Sequence, residues 1–377
     1  MQNPEESLLE ILSRAGVDFV SSLPCEKIKS LLLKVTRLGI HVPLTREEEG
    51  VGISAGAALA GRRPAMIIQS SGLGNMMNAL LSLTGFYTLP LAIFISRRGI
   101  YKEKIAAQVP MGKAVPGILR GAGISYTEIN GKKDLAKVER PLKEIYETGK
   151  IHAFLLSPAI WEGCGEEEKV SIKGTRAKLK QAKCHAPKRL PVRFTRFEII
   201  KIISPFLEGN SVVCNLGFPS KELYHVLPRP SNFYMLGSMG MATSIGLGAA
   251  LSTSRKVYVI DGDGSILMNP GTLATTALTA PENLTIICID NGVYGSTGGQ
   301  PTPAANVADL SAVAAGFGIK NISAAGDEKE IISSLKSKKK GPHFIHVLAR
   351  PGNADLPNIP LSAEEIKNQF REALRRH

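Results

Sequence analysis

Two stretches decide the fold: VYVIDGDGSILMN (257–269) and TIICIDN (285–291). Each opens on a short apolar run rich in β-branched residues, which reads as a strand buried on both faces. Asp261 and Asp263 close the first run and Asn291 closes the second. Between Gly264 and Asn291 lie 26 residues, enough for a crossover that returns the chain to a parallel neighbour. The two strand ends then lie side by side and bring Asp263 next to Asn291. A carboxylate and an amide oxygen are hard ligands suited to Mg²⁺. The glycines let backbone amides approach a phosphate, and a following helix N-terminus favours its charge. The pattern reads as a metal-bridged diphosphate site. A calcium loop fits poorly, because the sixth position from Asp261 is Ile266 where that loop needs glycine.

The same grammar runs outward in both directions. Strand-like runs precede this pair at VVCNLG (212–217) and NFYML (232–236) and follow it at IKNISA (319–324) and HFIHVLA (343–349). The first half has its own series: VDFVSSL (17–23), IHVPL (40–44), AMIIQS (65–70), LAIFIS (91–96), SYTEI (125–129) and HAFLLS (152–157). Helical periodicity fills the gaps, as in PCEKIKSLLLKVTRLG (24–39) and KKDLAKVERPLKEIYETGK (132–150), and AEEIKNQFREALRRH (363–377) closes the chain. Strands alternating with helices predict an α/β protein. Each half is a mainly parallel sheet of about six strands with helices on both faces. Such sheets bind ligands beyond the carboxyl ends of their strands.

The length of 377 residues suits two domains. The net charge of +13 invites a nucleic-acid reading. Nine Lys and Arg with no acid lie between Lys169 and Arg193, and four lysines lie between Lys336 and Lys340. Those thirteen account for the whole excess, and aromatics do not interleave with them, so a base-stacking surface is not supported. The first run reads as a linker, giving domains at 1–163 and 194–377 joined by 164–193. The five cysteines are scattered without a paired motif, no apolar run is long enough to span a bilayer, and no signal peptide is evident. A cytoplasmic protein is expected, without membrane or nucleic-acid partners.

GDG, 26 residues and then Asn is similar to the fingerprint of the thiamine-diphosphate enzymes related to the decarboxylases and acetolactate synthase. The resemblance implies thiamine diphosphate and Mg²⁺ as cofactors. It makes Asp263, Asn291 and the backbone carbonyl of Val293 the metal ligands, and has Gly262, Gly264 and Ser265 cradle the diphosphate. In LGSMGMATSIGLGAAL (236–251) it makes Met239 the wedge under the cofactor and Gly237 a carbonyl donor to its aminopyrimidine. Gly246-x-Gly248 in that segment is not a dinucleotide motif, since it opens no helix straight after a strand and lacks the third glycine. The family also needs a carboxylate against the aminopyrimidine, to promote the ylid. Glu47, Glu48 and Glu49 compete in LTREEEGVGISAGAALAG (44–61), and the family spacing favours Glu49 as the catalytic residue.

Larger relatives carry a middle domain that is missing here. The compact build, QSSGLGNMMNALLSL (69–83), EKIAAQVPMGKAVPG (103–117) and DNGVYGSTGGQPT (290–302) resemble the sulfopyruvate and phosphonopyruvate decarboxylases, with sulfopyruvate favoured. That family implies decarboxylation of 3-sulfopyruvate to sulfoacetaldehyde and CO₂ through an ylid and enamine, in coenzyme M biosynthesis of methanogenic archaea. It also implies a fusion of alpha-like and beta-like subunits, and a homo-oligomer, at least a dimer, with sites between chains. A phosphonopyruvate decarboxylase is the alternative. A non-catalytic cofactor-binding regulator is disfavoured by retention of both Glu49 and the GDG–Asn pair. For the substrate anion the candidates are Arg97 and Arg98 after LAIFIS, Gln108 and Lys113 in the following segment, with Lys102 and Lys104 beside them, and Ser71 and Gly72 in the QSSG turn. Cys25 and all seven histidines read as structural or solvated.

Overall fold

The computed structural model describes residues 3–163 and 190–375. The chain divides into two compact units, Met1–Gly174 and Thr175–His377. Residues 164–189, most of the expected linker with Cys164, Cys184 and His185, lie outside the described residues, as does His377.

The first unit holds β1 (Phe19–Ser22), β2 (Ile40–Pro43), β3 (Pro64–Gln69), β4 (Leu91–Ser96), β5 (Ser125–Ile129) and β6 (Ile151–Leu156). They form one parallel sheet in the order β2-β1-β3-β4-β6-β5. The second unit holds β7 (Ser211–Cys214), β8 (Asn232–Tyr234), β9 (Val257–Gly262), β10 (Leu284–Asp290), the short hairpin β11 (Val293–Tyr294) and β12 (Gln300–Pro301), then β13 (Asn321–Ala325) and β14 (His343–Leu348). Its parallel sheet runs β13-β14-β10-β9-β7-β8. Set the hairpin aside, read this sheet from its other edge, and the two orders are the same permutation. The architecture is therefore repeated although no sequence repeat is visible.

Burial follows the strand order. The central strands β4 and β10 are buried along their whole length, as their unbroken apolar runs require. Edge strands β2, β5 and β13 keep partly exposed residues. The edge strand β8 is buried instead, because helix Ala363–Arg375 covers it and Phe370 packs against Phe233 at 5.5 Å between ring centroids. That terminal helix is the one the closing periodicity predicts. The two internal stretches with helical periodicity come out broken: 3-10 turns flank helix Lys29–Lys34 and precede helix Glu139–Thr148.

Each unit also carries one helix buried almost all round, Glu47–Leu59 in the first and Ala242–Ser252 in the second. Both are rich in Gly and Ala, so their backbones lie close to the strands beneath. Gly246 shows how close, since a Cβ there would stand 2.1 Å from Cγ2 of Val259 on β9. In the second unit the chain enters earlier than the expected boundary at 194, with the Pro191 carbonyl lying against Gly326. The four lysines from 336 to 340 are exposed in the connection before β14. No helix among the described residues is long and apolar enough to cross a membrane, and the described cysteines, Cys25, Cys214 and Cys288, are free and buried.

Close packing under Gly246 has a measurable consequence. Gly246→Ala gains about 1 kcal/mol of helix propensity but overpacks the sheet contact by about 1–3 kcal/mol, so its urea midpoint should fall. Gly117, in helix Val109–Gly121, has nothing within 4 Å of an added Cβ, and Gly117→Ala should raise the midpoint instead.

Candidate active site

In the second unit the order of strands reverses between β7 and β9, and a crevice opens there at their carboxyl ends. A cavity of about 190 Å³ occupies it, lined by Asn215 after β7, Gly262 at the end of β9, and Asn291 and Val293 after β10. The parallel register pairs Asp261 with Cys288 and Gly262 with Ile289. Asp263 and Asn291, one and two residues further along, thus both reach the cavity, together with Met239, Gly264 and Ser265. Gly237 is not among its lining residues.

The local bonding sets how these groups are presented. Asp263 is 3% exposed, and its Oδ2 accepts a hydrogen bond from the hydroxyl of Thr302. Burial, aided by the charge of Asp290, pushes the Asp263 carboxyl up to about 6, against the bonds it accepts. A divalent cation at this carboxylate would relieve that cost. Oδ1 of Asn291 accepts the Val293 amide at 3.1 Å. The oxygen set of Asp263, Asn291, the Val293 backbone and Thr302 is hard and suits Mg²⁺. Among the described residues no group of three His, Cys, Asp or Glu is placed to hold a metal, so a site here has to draw on amide, hydroxyl and carbonyl oxygens. The residues present fit the group that the resemblance implies.

Around this set the backbone is tied down. Ser265 Oγ accepts the Gly240 amide at 3.1 Å, which joins the Met239 segment to the GDG turn. Ser238, just before Met239, holds a left-handed φ of 62°, a strained state for a non-glycine residue at a candidate site. Asp261 is buried, accepts from Thr243 at 2.8 Å and from the Gly262 amide at 2.9 Å, and is pushed up by burial. Helix Asp263–Met268 has only six residues, so the diphosphate cradle would rest on backbone amides more than on the long-helix dipole that the sequence suggests.

Sequence reasoning missed two of these groups. Thr302 is brought back by the β11–β12 hairpin, whose turn is set by pairing and not by composition. Arg196 lines the cavity while its guanidinium is held by buried Glu222 at 2.7 and 2.8 Å and donates to Asn353 at 2.9 Å. The only signal for it was the capping box Thr195–Glu198 that starts its helix.

In the first unit the structure distinguishes the three competing carboxylates by their bonding. Glu49 is fully buried and turned back on its own helix start. Its Oε1 accepts the Thr45 amide at 2.5 Å, the Thr45 hydroxyl at 2.7 Å and the Arg46 amide at 3.3 Å. Oε1 is thus the third-position acceptor of a capping box. Glu48 is half-buried beside Arg46 at 3.6 Å, and burial raises its pKa. Glu47 alone reaches out to the next helix, Ser70–Ala79. Asn75 donates to its Oε2 at 3.0 Å, and a Cβ at Gly72 would stand 2.5 Å from Oε1. Two separate expectations, the carboxylate and the QSSG turn, therefore meet at Glu47 and Gly72. Ser71 beside them accepts from Gln69 at 2.9 Å.

The anion candidates divide as well. Arg98 is 4% exposed and bound twice by Glu103, at 2.6 and 2.8 Å, and it holds the Glu103 carboxyl down at about 2. Glu103 in turn accepts the Gly99 and Ile105 amides. Arg98 thus spends its Nε and Nη2 donors on Glu103 and braces its loop. Arg97 donates to Glu128 at 3.0 Å, and Lys102 pairs with Glu162. Lys104 and Lys113 are exposed, and Gln108 is half-buried with an Oε1 that has no partner among the described residues. Cys25 bonds Ser96 at 3.4 Å in the core and fits its structural reading.

Known proteins agree with this architecture. Residues 3–109 match the N-terminal TPP binding domain of thiamine pyrophosphate enzymes, and residues 212–347 match their C-terminal TPP binding domain. The chain is similar to a sulfopyruvate decarboxylase of Methanosarcina acetivorans, with 43% identity over 99% of this chain and 98% of that one. It is 33% identical to a phosphonopyruvate decarboxylase of Streptomyces hygroscopicus, over 97% of this chain and 92% of the relative. A sulfopyruvate decarboxylase subunit beta of Methanothermobacter thermautotrophicus is 52% identical over 48% of this chain and 95% of its own length. A full-length match of that strength, on two thiamine-diphosphate-binding domains, means that this chain belongs to the sulfopyruvate decarboxylase family of thiamine-diphosphate-dependent enzymes.

Proposed function

We propose that this protein decarboxylates 3-sulfopyruvate to sulfoacetaldehyde and CO₂, a step of coenzyme M biosynthesis. The reading is supported by a hard-oxygen set at Asp263 and Asn291 in the second unit and, in the first, a buried carboxylate at Glu47 bonded to Asn75. Stronger similarity to the sulfopyruvate than to the phosphonopyruvate enzyme supports the choice of substrate. Thiamine diphosphate, when bound, supplies the nucleophilic carbon and the electron sink that loss of CO₂ requires.

The chain's own residues then have distinct duties. Asp263, Asn291 and the Val293 carbonyl hold Mg²⁺, and Gly262, Gly264 and Ser265 hold the diphosphate. Met239 supports the ring system, with the Gly237 carbonyl as a further polar contact. Glu47 takes the place expected of Glu49 and would meet the cofactor's pyrimidine ring, with Asn75 orienting it. Gly72 lets that carboxylate sit where a side chain would displace it. Arg97, Gln108, Lys113 and Ser71 remain the candidates for the sulfonate, and Arg98 acts on them only by fixing the loop. The pyrimidine-binding unit spans 1–163 and the diphosphate-binding unit 194–377. They correspond to alpha-like and beta-like subunits fused in one chain, which works as a homo-oligomer with sites between chains.

Activity on sulfopyruvate, measured with and without Mg²⁺ and thiamine diphosphate, tests the whole reading. Turnover should need both, and kcat/KM should exceed that for phosphonopyruvate; the reverse preference would move the chain to the alternative substrate.

The carboxylate assignment has its own test. Glu47→Gln should lower kcat by about 10²-fold or more, the scale of lost acid–base assistance. Glu49→Gln keeps an acceptor in the capping box and should stay near the parental rate. A large loss from Glu49→Gln with none from Glu47→Gln would reverse the roles.

For the metal site, Asp263→Ala should abolish the rise in melting temperature that Mg²⁺ with thiamine diphosphate gives the parent, since only bound ligand stabilises the fold. An undiminished rise would remove Asp263 from the site.

A further inference from the structure

Behind the cavity, three side chains run in series from helix Leu310–Gly316 to the loop that carries Asn291. Ser311 Oγ lies 3.1 Å from Nδ1 of His346. His346, on β14 and 7% exposed, places Nε2 2.9 Å from Oδ2 of Asp290, the last residue of β10. The other oxygen of Asp290 accepts the Gly292 amide at 3.0 Å, where the chain turns through a left-handed φ of 69°. Asn291 sits between the two ends of that bond. The Asp290 backbone carbonyl is also taken, by the Ala349 amide at 2.7 Å.

The chemistry of the series is directional. With Nε2 assigned as the donor to Asp290, Nδ1 is the ring atom that faces the Ser311 hydroxyl. His346 then fixes the rotation of the Asp290 carboxylate, and that rotation decides whether its second oxygen can close the turn around Asn291. His343, on the same strand, bonds Ser323 at 2.9 Å and reaches no residue of the cavity. The two histidines, alike in sequence, differ in what they touch.

We propose that His346 is a positioning residue for the metal site: through Asp290 it sets the Asp290–Gly292 turn that aims the Asn291 side chain and the Val293 carbonyl. This rests on the reading of Asp263 and Asn291 as Mg²⁺ ligands and extends it to a shell of residues that never touch the ion. Partners of that kind commonly change metal affinity by about 10–100-fold.

The test is calorimetric titration of Mg²⁺ into the full chain at saturating thiamine diphosphate, with folding checked by circular dichroism and by the melting temperature without metal. His346→Leu should raise the Mg²⁺ Kd by about 10-fold or more. His346→Gln, whose amide N–H reaches the place of Nε2, should stay within about 3-fold of the parent. Rescue by Gln separates aiming of the loop from a general packing role. A folded His346→Leu protein with parental Mg²⁺ affinity overturns the inference, and so does equal loss in both variants. If His346→Leu does not fold, Ser311→Ala keeps the bond to Asp290 but frees the ring to turn. Its Kd should rise by about 10-fold, and a value within about 3-fold of the parent overturns the inference. A parental protein that takes up no Mg²⁺ overturns the metal reading itself, which distinguishes the two failures.

Discussion

The parallel register of β9 against β10 is the constraint on which the second unit's chemistry depends. It pairs Gly262 with Ile289 and leaves the next residues of both strands at one edge. A slip of one residue would turn every side chain of a strand to the opposite face. Asp263 would then point into the sheet packing, and the buried carboxylate would lose both Thr302 and the cavity. The strands hold their register because both faces are covered, with apolar residues throughout β10 and a glycine-rich helix tight against β9.

The two units solve one folding problem in the same way and use the result differently. Both sheets have the same strand permutation, and both place a small-residue helix where the chain must pass close to the strands. In the second unit the carboxyl-end crevice carries oxygen ligands. In the first, the corresponding small-residue helix begins with three carboxylates, only one of which turns toward the neighbouring helix. An ancestral duplication is not needed for the physical point: a parallel sheet of this order presents the ends of its strands to the same side, and loops decide what is offered there.

Glu49 and Arg98 show how a charged residue with a plausible function is taken up by the fold. Helix starts leave amides without partners, and a glutamate at the third position is well placed to satisfy them. Glu49 Oε1 does so for Thr45 and Arg46, and the residue is fully buried. Arg98 follows a strand end, where binding residues gather, yet Glu103 is five residues away and claims its guanidinium. In both places the local partner wins because it is already tethered, whereas a ligand must give up its freedom to bind. Glu47 and the Ser311–His346–Asp290 series stand at the other extreme, with partners far away in the chain.

Sequence alone determined the fold class and the twelve strands of the two main sheets, and it singled out Asp263 and Asn291, which line one cavity, because period, spacing and residue chemistry are local properties of the chain. It also located the excess charge in two runs. Among three adjacent carboxylates it favoured Glu49 by family spacing alone, since neighbours on one helix turn differ only in direction. Tertiary structure alone decided that Glu47 faces Gly72 and Asn75 while Glu49 caps its helix. It likewise brought Thr302 to Asp263, Arg196 to the cavity and His346 to Asp290. The reason is physical: each of those choices depends on which distant element packs against a side chain, and burial commits a polar group to the partner that is there.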